Sequence, residues 1–206
     1  MRYGKTIKYA FHVIFHPFDG FWDLKREQRG SLAAALTFVA LTIITLTLEK
    51  QKTAFLFNPY RLDRINVMVD VITVLLLYVL WCVANWCLTS LMDGEGKLKD
   101  IAIATGYALF PVILLRLPMI LISYMLTSGE GSFYDVIGVV SYLWAGALLI
   151  LGTMITHQYS VKKTLLTCIC TIVGMGIIMF IGLLFFNVIQ QMMTFVSTIY
   201  EEIRFR

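Results

Sequence analysis

Hydrophobic and polar positions in this chain are segregated into long blocks. Apolar stretches cover 31–48, 67–91, 101–126, 134–155 and 164–189. About 20 helical residues at 1.5 Å each cross the roughly 30 Å hydrocarbon layer, so each stretch predicts a transmembrane helix. A different periodicity precedes them. On a helical projection Tyr3, Ile7, Ala10, Phe11 and Ile14 share one arc, while Arg2, Lys5, Lys8, His12 and His16 take the other. That pattern predicts a basic amphipathic helix lying in the headgroup plane. It should end at Pro17, because a proline pushes the residue before it out of the helical region. The aromatic and charged run from Phe18 to Gly30, with Trp22 suited to the interface, then reads as a juxtamembrane linker. The predicted fold is all-α and polytopic, with five transmembrane helices and an N-terminal interfacial helix. Its parts are a cytosolic arm at 1–30, a five-span domain at 31–189 and a short C-terminal tail at 190–206.

Composition agrees with lipid as the main solvent. Apolar residues make up 59% and charged residues 15% of the 206, and the mean hydropathy is +0.78. Soluble domains run nearer 45–50% and about 25%. Of the 17 basic and 13 acidic residues, only Asp70, Arg116 and Asp135 fall inside the five stretches. A soluble enzyme, a secreted disulfide scaffold and a disordered tail are thereby excluded. No secretory signal is visible, since the short apolar run Ala10–Phe15 is interrupted by His12 and lacks a small-residue cleavage site.

Five crossings place the termini on opposite sides. With the N-terminus in the cytosol, Lys and Arg outside the spans number ten inside against six outside, which favours that orientation. Asp70, Arg116 and Asp135 then all fall in the outer half of the bilayer. A guanidinium in lipid is costly unless it faces a carboxylate across the bundle, so Arg116 is expected to pair with Asp70 or Asp135. The alternative is that both aspartates are interfacial ends and Arg116 snorkels outward. Pro111 and Pro118 flank Arg116 and should kink the third span. The freed carbonyls are either a packing kink or part of a polar path. Ala102-x-x-x-Gly106, Ala104-x-x-x-Ala108 and Ser141-x-x-x-Ala145 are small-residue pairs that let helices approach closely.

Catalytic chemistry is not legible. The four cysteines, at 82, 87, 168 and 170, fit no disulfide framework or C-x-x-C pair and read as packing thiols. No H-E-x-x-H, G-x-S-x-G or P-loop motif occurs, so no cofactor or metal is expected. The loop Asp93–Asp100 supplies too few oxygen ligands for calcium and reads as a solvated turn reversed at Gly94 and Gly96. Basic residues near the cytosolic face, including Arg2, Lys5 and Lys8, point to anionic lipid headgroups rather than nucleic acid.

The stretch Asn85-Trp86-Cys87-Leu88-Thr89-Ser90-Leu91-Met92-Asp93-Gly94-Glu95-Gly96-Lys97-Leu98-Lys99-Asp100, followed by Gly106-Tyr107-Ala108-Leu109-Phe110-Pro111, resembles the Yip family of Ypt/Rab-GTPase-interacting membrane proteins. In that family a glycine-rich short loop after the second span leads into a Gly-Tyr-x-x-x-Pro stretch. The His16-Pro17-Phe18 entry and the count of five spans are similar to its bacterial branch, and the resemblance runs from about residue 16 to about 190. It implies a non-enzymatic five-helix membrane protein with a cytosolic N-terminus, acting through membrane or protein partners. Gly94, Glu95, Gly96, Gly106, Tyr107 and Pro111 are the motif residues. The arm of about 30 residues is shorter than that of eukaryotic members, which are tied to small GTPases. The expectation is an adaptor or scaffold in a bacterial cell membrane, or alternatively a Golgi or endoplasmic reticulum membrane. A homo-oligomer and an as yet unidentified membrane-protein partner are compatible with it. The competing functions are a transporter subunit or small carrier using Arg116 and the kinked span, and an intramembrane enzyme using Asp70 and Asp135.

Overall fold

The computed structural model describes residues 3–58 and 65–205. Among them the chain forms eight α-helices: α1 (Tyr3–Phe15), α2 (Pro17–Arg26), α3 (Leu32–Lys52), α4 (Val67–Leu91), α5 (Leu98–Ala108), α6 (Phe110–Ile122), α7 (Gly131–His157) and α8 (Val161–Arg204). Five segments are long and apolar enough to cross a membrane: α3, α4, the α5–α6 pair, α7 and α8. The protein is therefore an all-α polytopic membrane protein. Helix starts follow from local side chains. Ser31 Oγ accepts the Ala34 N–H at 3.1 Å ahead of α3, and Asn66 Oδ1 accepts the Met68 N–H at 3.0 Å ahead of α4. Each satisfies a donor that the first turn leaves unpaired.

The third span is broken, not bent. Pro111 has no N–H to give the Tyr107 carbonyl, and the chain responds at Leu109, whose N–H turns to Gly106 O at 3.3 Å. The helix resumes as α6, with Pro111 in its first turn, where a missing N–H costs nothing. Pro118 lies within α6 without ending it. This broken span occupies the middle of the bundle, packed between α3 and α7, while α4 packs on α3, α5 and most extensively α8.

Gly106 permits the tightest crossing in the core. A Cβ there would lie 2.6 Å from Ala35 Cβ and 2.8 Å from Ala35 Cα, so α3 and α5 meet backbone to backbone. Along α4 and α8 several inward polar residues are threonines bonded to their own helix. Thr89, Thr164, Thr167 and Thr171 each donate to the carbonyl four residues back, leaving methyl groups to pack.

The N-terminal helices pack differently from the reading of the sequence. The apolar face of α1 was expected to rest among headgroups. Instead Ala10, Val13 and Ile14 are buried against protein, in one core with Phe21, Leu24, Ala35, Phe38, Tyr107 and Phe110. Lys8, His12 and His16 face outward as the projection required, while Arg2 and the side chain of Lys5 lie outside the described part. α1 and α2 form a hairpin whose crossing at Gly20 is nearly as close as that at Gly106, with a Cβ position 2.8 Å from Val13 Cα. Tyr9 Oη donates to Asp23 Oδ2 at 2.7 Å across the hairpin. Burial and that carboxylate hold the Tyr9 hydroxyl protonated, well above the usual phenol range.

Candidate functional site

Polar side chains gather at the two ends of the bundle. At one end, which carries the short loop 92–97, α4 and α7 both finish in left-handed closures. Asp93 has φ 56° and Gln158 has φ 56°; the Gly94 N–H returns to Thr89 O at 2.8 Å and the Tyr159 N–H to Met154 O at 3.0 Å. The expected role of Gly94 and Gly96 in reversing the chain is therefore taken by Asp93, and no described glycine has positive φ. The two glycines are needed for space. A Cβ on either would come within 2.6 Å of the His157 ring, which lies in the notch between them.

His157 is the centre of a buried polar chain. Its Nδ1 accepts the Gly96 N–H at 3.3 Å, which leaves Nε2 to donate to Asn85 Oδ1 at 3.1 Å, and Asn85 Nδ2 donates to Thr171 Oγ1 at 3.4 Å. One line of hydrogen bonds thus joins loop, α7, α4 and α8. Two lysines close the same end by donating to carbonyls that helix termini leave unpaired. Lys25 of α2 bonds Thr156 O at 2.7 Å, and Lys163 of α8 bonds Met92 O at 2.7 Å. Lys25 and Arg26 also reach Glu95, at 3.4 and 3.6 Å. Tyr159 Oη donates to Met92 O at 2.9 Å, and its burial raises the phenol pKa. Around this clamp Trp22, with 48% of its surface exposed, stacks under the Arg26 guanidinium at 5.2 Å, and Glu95 is open to the outside.

The Gly-Tyr-x-x-x-Pro stretch anchors the hairpin to the spans. Tyr107 is fully buried, its ring 5.0 Å from Phe38 in an edge contact, and its hydroxyl donates to Thr6 O at 2.9 Å. Gly106 admits α3, Tyr107 ties α1, and Pro111 breaks the span, so each motif residue has a separate mechanical task.

At the far end Arg116 is partly buried, but its carboxylate partner is neither Asp70 nor Asp135. Both oxygens of Glu49 accept from its Nη1, Ser141 Oγ accepts from Nε at 3.0 Å, Gly138 O accepts from Nη2 at 3.1 Å, and the Tyr142 ring lies 4.1 Å away. Asp70 pairs instead with Lys50 Nζ at 2.6 Å. The reason is helical geometry. α3 runs one turn past Leu48, and Glu49 and Lys50 diverge by about 100° around its axis, so consecutive residues clip two different neighbours. Asp135 is exposed and lines a cleft of about 450 Å³ with Glu49, Thr53, Asn58 and Tyr134. The polar cluster expected of Arg116, Asp70 and Asp135 is thus not formed: Asp70 has its own cation, and Asp135 lines a cleft with Glu49, the partner of Arg116. Neither Asn85–His157 nor Glu49 stood out in the sequence: the first pair is uncharged, and the second residue lay just past the last apolar position.

A family model described as the Yip1 domain matches residues 11–194, which is most of the chain. Neither a curated protein nor a solved structure matches it.

Proposed function

The chain belongs to the Yip1 domain family of multi-pass integral membrane proteins, and from that premise we propose that it is a non-enzymatic membrane scaffold acting through the end that carries loop 92–97. The observation that supports this reading is the double fixing of the N-terminal hairpin. Tyr107 holds α1 from within the spans, while Lys25 holds α2 to the end of α7 and to Glu95. A rigid face results, with Trp22, Arg26 and Glu95 exposed at fixed spacing. Preformed surfaces of this kind bind partners without paying an ordering cost. Lys8, His12 and His16 on the outward side of α1 suit anionic headgroups, which would seat the same face at the membrane surface. That face is cytosolic in this reading, and the membrane is a bacterial cell membrane.

Arg116 has a structural part. All three of its guanidinium nitrogens are engaged by α3 and α7, as a span-locking residue requires. A mid-span cavity of about 480 Å³ beside the break at Leu109 is lined mainly by apolar side chains such as Leu77, Trp81, Val112 and Met175, which suits lipid tails and not a hydrophilic solute. Photo-crosslinking from positions 22 and 95 in native membranes tests the scaffold reading. Discrete protein adducts at both positions are expected. Lipid adducts alone, together with solute flux in proteoliposomes that is lost on Arg116→Leu, would replace scaffold by carrier.

A further inference from the structure

α8 is far longer than a membrane requires. Its 44 residues extend about 66 Å at 1.5 Å each, against a hydrocarbon layer of about 30 Å. It begins at the end that carries loop 92–97, so its second half extends past the far end of the bundle. Every residue from Met179 to Phe205 is exposed. Up to Phe186 the exposed surface is apolar on all sides, as lipid demands. From Asn187 onward it is divided. Asn187, Gln190, Thr194, Ser197 and Glu201 fall on one face, and the opposite face is apolar, with Val188, Met193, Phe195 and Tyr200 flanking a central stripe.

The stripe has a definite register. Phe185, Ile189, Met192, Val196, Ile199 and Ile203 follow one another at intervals of four, three, four, three and four residues, the a/d spacing of a left-handed coiled coil. The a positions are Ile189, Val196 and Ile203, all β-branched, a residue class found at a in two-stranded parallel coils, and the d positions are Phe185, Met192 and Ile199. Continued toward the membrane, the same register puts Gly182 at the next a position. A Cβ there would meet nothing within 4 Å, so no packing inside this chain calls for a glycine, whereas close approach of a second helix does. The stripe is open in one copy: Phe185 is 67%, Met192 64%, Val196 61% and Ile203 71% exposed.

We infer that two copies of this chain pair through the distal half of α8, as a parallel coiled coil with Phe185, Met192 and Ile199 at d and Ile189, Val196 and Ile203 at a. The membrane supplies the orientation. Copies inserted the same way are related by a two-fold axis along the bilayer normal, which makes their α8 helices parallel and brings each stripe against itself in register. A self-matching stripe on a straight helix, with no proline or glycine after Gly182, has a second copy as its natural occupant.

Disulfide scanning of the full-length chain in membranes tests the pairing. With Cys82, Cys87, Cys168 and Cys170 replaced by serine, single cysteines are placed at seam positions (Met192→Cys, Val196→Cys, Ile199→Cys) and on the polar face (Thr194→Cys, Ser197→Cys, Glu201→Cys). Under mild oxidation the seam positions should give a covalent dimer several-fold more than the polar positions, with a 3.5-residue period. In nanodiscs the native chain should have the mass of a dimer, falling to that of a monomer in the Val196→Lys, Ile199→Lys variant with helix content unchanged. Equal crosslinking on both faces, a monomeric or trimeric native mass, or quenching of seam-attached fluorophores by lipid-borne nitroxides would overturn the inference.

Discussion

Replacing Gly106 with alanine adds one methyl group at the closest crossing in the molecule, and the consequence can be worked from distances. The new Cβ would lie 2.6, 2.8 and 2.9 Å from the Cβ, Cα and carbonyl oxygen of Ala35. Carbon atoms rest about 3.5–4.0 Å apart, so α3 and α5 must separate by about 1 Å. No side chain can rotate to relieve this, because two of the three atoms are backbone and the third is an alanine methyl. Overpacking costs about 1–3 kcal/mol, and the backbone contact puts this site near the upper value. Alanine recovers about 1 kcal/mol of helix propensity, which leaves a net loss of about 2 kcal/mol. The separation also pulls at Phe38 and Tyr107, so the N-terminal hairpin should loosen. Gly176, whose Cβ position has nothing within 4 Å, is the control and should tolerate alanine or gain from it. Reversible unfolding in mild detergent, with hydrogen exchange read separately for α1, measures both effects. A Gly106→Ala protein as stable as Gly176→Ala would refute the argument.

Other substitutions separate the remaining contacts. Tyr107→Phe removes the bond to Thr6 O; a loss of about 1 kcal/mol is predicted, with faster exchange in α1 and unchanged protection in α7. Arg116→Leu strands Glu49 and should cost about 3 kcal/mol, of which Glu49→Gln in the same chain restores a large part; a double-mutant cycle with no coupling would contradict the pairing. Asn85→Leu leaves His157 Nε2 without its acceptor in a buried site and should destabilise by about 1–3 kcal/mol, measured by the same unfolding assay. Gly96→Ala meets the His157 ring and Thr156 Cγ2 and should displace loop 92–97, seen as increased protease cleavage there.

The five crossings were legible because hydropathy averages over many residues and tolerates an uncertain boundary. A distortion at Pro111 was legible because a missing N–H acts locally, although a kink was expected at both prolines and the span breaks at the first. Partner choice was less so. Span three was seen to carry an intramembrane arginine, but its partner was sought among charges inside the apolar blocks, and α3 continues one turn beyond its block to bring Glu49 to that depth. The stripe on α1 was visible in the periodicity, which reports an apolar face without saying whether lipid or protein covers it. In the loop, the glycines were rightly singled out for a local reason that the structure reassigns: Asp93 makes the turn, and the glycines make room for a histidine some sixty residues away.

An odd number of crossings sets the fixed N-terminal face and the distal end of α8 in different compartments. Membrane-impermeant thiol labelling of sealed vesicles of one orientation, using Arg26→Cys, Glu95→Cys and Arg204→Cys in a cysteine-free background, tests this directly. Positions 26 and 95 should label together from the cytosolic side, and position 204 only from the opposite side. Labelling of all three from one side would contradict the five-span arrangement and everything built on it.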